Sequence, residues 1–83
     1  MIYAIYSIND ALTGFASPTL QNNDAAAMRS FAEVFKDVFS PADYSLWKIG
    51  NFDTDTGEII PDVPTIVCRA TDFVKGEEKD AEK

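Results

Sequence analysis

The stretch Asn22–Ser40, NNDAAAMRSFAEVFKDVFS, decides the fold, because its ends and its facing are all written locally. Met28, Phe31, Ala32, Phe35, Val38 and Phe39 recur at spacings of three and four, which places them in one apolar stripe of an α-helix. Asn22, Asn23 or Asp24 can accept the free N–H groups of the first turn, and Asp24 also sets a negative charge at the positive end of the helix dipole. Three alanines at 25–27 add strong helix propensity, and Pro41 ends the segment by holding Ser40 out of the α region. The outward residues Arg29, Ser30, Glu33, Lys36 and Asp37 read as a solvated face.

Outward from the helix the chain is β-type. Met1–Ile8 is apolar on both alternation faces, which predicts a strand covered on both sides, inside a sheet or at a subunit contact. The NDALTG segment predicts a hairpin turn, with Phe15–Leu20 as a short second strand running into the helix cap. On the far side, Pro41-Ala42-Asp43 predicts a turn and Tyr44–Phe52 a strand. Asp53–Gly57 predicts a tight reversal with Gly57 at positive φ. Two prolines put Glu58–Pro64 at an edge or in a loop, and Thr65–Ala70 predicts the last strand, with Ile66 and Cys68 alternating against Val67 and Arg69. The fold class is α+β in the order β-β-α-β-β, one amphipathic helix on an antiparallel or mixed sheet. Residues 1–74 form one domain, and 75–83, with mixed charge and no apolar anchor, a solvated tail.

Bulk composition narrows the function. At 83 residues the chain is one small domain that buries only roughly 60% of its unfolded surface, so its core must be dense or shared. The 46% of aliphatic and aromatic residues excludes disorder for all but the tail. A single cysteine, Cys68, makes no internal disulfide, and no long apolar run or basic leader predicts a membrane span or export, so a reducing cytoplasm is expected. The net charge is −7; residues 1–74 hold four basic groups, Arg29, Lys36, Lys48 and Arg69, against ten acids. That balance argues against a generally basic DNA-binding surface and keeps a protein partner, such as a basic one, in view as the alternative.

Catalysis has little to work with. Histidine is absent, no Ser or Thr sits in a nucleophile elbow, and the four glycines are too scattered to cradle a phosphate. Cys68, among apolar neighbours, reads as core rather than nucleophile. The acidic turn Asp53–Glu58 invites a calcium reading, but Glu58 and Pro64 stand where an EF-hand loop starting at Asp53 needs Gly and Glu. No cofactor, metal or enzymatic activity is expected. Aromatic residues beside basic ones are the remaining signal, since single-stranded nucleic acid is held by stacking next to Lys or Arg. Trp47-Lys48 is the best instance, although alternation points the two side chains to opposite faces. Arg29 and Lys36 share a helix face with Glu33 between them.

Taken together, Ile5-Tyr6-Ser7-Ile8, Asn23-Asp24 with Ala27-Met28-Arg29-Ser30-Phe31, and Pro41–Asp53 closing on Thr56-Gly57 resemble the small nonstructural protein of gokushovirus-type microviruses, bacteriophages with circular single-stranded DNA genomes. The resemblance spans about residues 3–60; beyond Ile60 there is no family signal. It implies a phage protein made in the host bacterial cytoplasm and associated with single-stranded DNA synthesis or packaging, and it carries no catalytic residue across. The expectation is a nonenzymatic accessory protein, a homodimer, engaging single-stranded DNA or a phage or host replication or packaging protein. Arg29, Lys36, Lys48 and Arg69 would contact phosphate and Trp47 would stack on a base. The alternative is an acidic adaptor that binds protein without touching DNA.

Overall fold

A computed structural model of the chain describes residues 1–35 and 40–73. The expected last helical turn, with Lys36, Asp37, Val38 and Phe39, and the expected tail 75–83 lie outside the described residues. In order, the elements are β1 (Ile2–Asp10), β2 (Gly14–Phe15), β3 (Thr19–Gln21), α1 (Asp24–Phe35), a 3₁₀ turn (Pro41–Asp43), β4 (Tyr44–Asp53), β5 (Ile59–Arg69) and a second 3₁₀ turn (Ala70–Asp72). All strand pairings are antiparallel: β1 sits between β4 on one side and β2 and β3 on the other, and β5 pairs with β4 at the far edge. The fold is α+β, as expected. The two-sided apolar character of β1 follows from its place inside the sheet.

Three local readings are corrected. The second strand is two pieces, because Pro18 lacks an N–H and the chain leaves the ladder over Ala16–Pro18. Its first end is held by the Ala16 N–H donating to the Ile8 carbonyl at 2.8 Å and the Ser7 hydroxyl donating to the Ala16 carbonyl at 2.7 Å. Of the two readings of Glu58–Pro64 the edge holds and the loop does not, and the stretch is continuous with the strand expected at Thr65–Ala70: Ile59–Arg69 is one edge strand, which accommodates Pro61 and Pro64 because one side needs no N–H donors. Finally, Ile66 lies opposite Trp47 and Cys68 opposite Leu46, so a bulge at Val67 sends Ile66 and Cys68 to opposite faces.

Helix α1 begins as its sequence dictates. Asn23 is the cap: its Oδ1 accepts from the Ala26 N–H at 2.8 Å, and its carbonyl accepts from the Ala27 N–H at 3.1 Å. Asp24 instead accepts from the hydroxyl of Tyr6. The helix buries Ala27 and Phe31 against Ala4, Tyr6, Leu46, Cys68 and Ala70, with Met28 and Phe35 packed at the margin. Ala27 thus belongs to the stripe as well as to the helix-forming run, since small side chains at 4, 27 and 70 let the helix approach the sheet closely. Phe31 stacks with Phe35 at 4.7 Å between ring centroids and meets Phe73 edge-on at 6.1 Å, while Phe35 meets Tyr44 at 4.7 Å. Burying a ring such as Phe31 is worth about 1.5–3 kcal/mol, a large share for so small a domain. Gly50 is required by close approach: a Cβ there would lie 2.7 Å from the Ile60 carbonyl oxygen.

Candidate functional site

The two sheet faces differ in chemistry. Directly paired residues share a face, so the ladders place Ala4, Tyr6, Ile8, Leu46, Lys48 and Asn51 under α1. Tyr3, Ile5, Ser7, Ser45, Trp47 and Phe52 point the other way, where Ile5 and Ser7 are buried and the other four half-buried.

On the helix side, Lys48 stands in an open cleft of about 500 Å³ with Asn22, Asn23 and Asn51, at the first turn of α1. Lys48 is half-buried, and among the described residues it has no ion-pair partner. The cleft also contains Asp24, the carboxylate held by Tyr6. Tyr6 is 1% exposed, and its ionisation is pushed up first by burial, then by its hydrogen bond to Asp24 and by that carboxylate's charge. The phenol therefore stays protonated and anchors the start of α1 to β1. Arg29 is exposed and follows Ala25, a cleft-lining residue, by one helical turn, so it extends the same side of the helix. A second, smaller cavity of about 180 Å³ lies between α1 and β1, lined by Tyr6, Ile8, Phe31 and Leu46 together with Ser17 and Thr19.

On the open face, the half-buried Trp47 packs edge-on against Phe15, with ring centroids 6.0 Å apart and an interplanar angle of 79°. Its Nε1–H donates to Ser45 Oγ at 2.8 Å. Arg69 is paired with Ser45 and so shares this face, and its backbone N–H donates to Asp72 Oδ2 at 2.9 Å. The five residues singled out from sequence are thus divided: Arg29 and Lys48 belong to the helix side, Trp47 and Arg69 to the open face, and Lys36 lies outside the described residues. The opposite facing of Trp47 and Lys48 was legible from alternation. The cleft partners Asn51 and Tyr6 were not: simple alternation sends Asn51, three residues on in the same strand, to the opposite face until the bulge at Ile49 brings it back, and Tyr6 is distant in sequence and meets Lys48 only through the β1–β4 register.

The remaining candidates have structural roles. Asp53 Oδ1 accepts from the Asp55 N–H at 2.9 Å, and Asp55 pairs with the Met1 amino group at 3.1 Å, which makes the acidic turn a tied reversal with Gly57 at φ +79°. Among the described residues no three His, Cys, Asp or Glu side chains gather as a metal site. Cys68 is buried, and burial, followed by the charges of Asp72 and Asp24, raises its thiol to about 11. No described helix is long and apolar enough to cross a membrane.

A family pattern described as phage ORF5 protein matches residues 3–73, from β1 through the second 3₁₀ turn. The chain belongs to the phage ORF5 protein family. The match runs past Ile60, so β5, which shows no family signal when its sequence is read alone, is part of the shared domain. No curated protein and no solved structure matches this ORF5 protein.

Proposed function

We propose that this ORF5 protein is a nonenzymatic accessory protein of a microvirus-type phage, acting in the host cytoplasm on single-stranded viral DNA or on the machinery that replicates or packages it. The observation that carries the reading is the Lys48 cleft, where an ammonium with no ion-pair partner among the described residues stands with three asparagine amides and the Tyr6-bound Asp24 at a helix start, with Arg29 one turn on. This grouping offers a backbone phosphate a charge and several hydrogen-bond donors. Membership in a phage protein family supports the setting. The overall charge of −7 works against long-range attraction, so binding should be modest and local.

The test is fluorescence anisotropy with a labelled oligo-dT across a salt series. Binding at low salt should weaken as salt rises, and Lys48→Ala should lower affinity and flatten the log–log slope by about 0.7, the value of one single-strand phosphate contact. Absence of binding at low salt, or affinity indifferent to salt, overturns phosphate recognition. The acidic-adaptor reading is favoured by one observation: in a chain of net charge −7, carboxylates stand at both ends of the β1–β4 ladder, Asp10 and Asp43 at one and Asp53 at the other, where a basic protein could meet them. A pull-down from infected cells that recovers DNA and no protein counts against the adaptor.

A further inference from the structure

The face of the sheet opposite α1 is apolar; Ile5, Ser7 and Gly50 at its centre are buried within the single chain, and exposed apolar side chains stand at its flanks. Ladder pairing puts Tyr3, Leu20, Trp47, Phe52, Ile59 and Ile66 on it. Leu20 is 46% exposed and Ile59 65%, and a contiguous apolar surface of this kind marks an interaction site. Its charge separates two classes of occupant. Arg69 is the one cation at its directly paired positions, and no carboxylate occupies any of them, in a chain whose net charge is −7. A nucleic acid would find one phosphate contact there, too few for charge-driven binding. A second copy would find the surface on which two strongly acidic chains meet without opposing their carboxylates. The sheet's footprint sets the upper bound on the contact: about nine residues at about 3.3 Å by four strand positions about 4.8 Å apart give roughly 550 Å² per copy. Doubled, that is about 1,100 Å², just above the roughly 1,000 Å² that a specific interface needs.

We propose that this open face is the homodimer interface of the protein, two sheets packed face to face about a two-fold axis with both α1 helices outward. Edge-to-edge pairing through β5 is disfavoured by Pro61 and Pro64, which remove donors from the exposed edge. The dimer leaves both Lys48 clefts open to solvent and does not rest on the DNA reading.

Analytical ultracentrifugation from low to high micromolar concentration tests it, with Trp47 emission followed in parallel. The wild type should pass from the 9.2 kDa chain to twice that mass, with a blue shift of Trp47 as it leaves water. Leu20→Glu and Ile59→Glu, both at exposed positions of the single chain, should keep its far-UV spectrum and raise the dimer dissociation constant about tenfold or more, because the two-fold axis buries each new charge twice. Leu12→Glu, more exposed at 83% but in the β1–β2 turn, should leave the dimer unchanged. A monomer at every concentration overturns the proposal, as does a dimer insensitive to both face variants or equally weakened by Leu12→Glu. A monomer whose Trp47 emission is quenched by oligo-dT would give the face to nucleic acid instead.

Discussion

Tyr6 shows how one side chain joins sequence to fold. It lies on the inner strand, 1% exposed, and its hydroxyl donates to Asp24 at the start of α1, so one hydrogen bond ties β1 to the helix N-terminus. Because burial and the Asp24 charge raise the ionisation of Tyr6, its contribution to stability is full below its ordinary value near 10 and declines as pH rises above it. Cys68, raised to about 11, acts in the same direction from its own ordinary range. Tyr6→Phe should therefore cost about 1–2 kcal/mol at neutral pH, read from urea midpoints, and the gap from wild type should narrow near pH 10.5. A gap constant with pH would mean that the hydroxyl does not carry the alkaline sensitivity. Tyr6 was legible only as an apolar strand position, since nothing in Ile5-Tyr6-Ser7 points to a residue eighteen positions away. Lys48 was legible as a cation, but its cleft was not.

Among the elements, α1 was the most legible: its cap, its alanine run and its Phe31 stripe are all local, and the structure places them as read. The strands were legible in existence and less so in extent. β5 read as two pieces because Pro61 and Pro64 fit an edge strand and a loop equally well, and only the β4–β5 pairing decides for the edge. These prolines also have a protective role at that edge, where Ile59 and Val63 are well exposed. Replacing both with Thr should restore backbone donors and promote aggregation during prolonged incubation, measured by turbidity and thioflavin fluorescence. A double variant that stays clear under conditions where the wild type stays clear would remove that role. The bulge at Val67 was not legible, because an extra residue in a ladder is a property of two strands and leaves no mark in either alone.

For the whole molecule, one buried cluster joins β1, α1, β4, β5 and the second 3₁₀ turn, and no second core stands beside it among the described residues. Far-UV circular dichroism and Trp47 fluorescence should then report coincident denaturation curves, although Trp47 lies on the face away from that cluster. Their midpoint should rise with protein concentration if two chains share the open face. Curves that separate would show that the Trp47 side opens independently of the helix side. The sequence by itself determined the local matters: the class of fold, the helix and its cap, the turns at Gly14 and Gly57, the absence of the usual catalytic groups, and the acid excess. These follow from periodicity, backbone stereochemistry and counting, which need only near neighbours in the chain. The tertiary structure alone decided which surfaces exist, because a face is assembled from strands distant in sequence whose register is set by bulges and by packing under the helix. That register sends Lys48 and Asn51 to one side and Trp47 and Arg69 to the other, and it leaves the directly paired positions of one face free of carboxylates in an acidic protein.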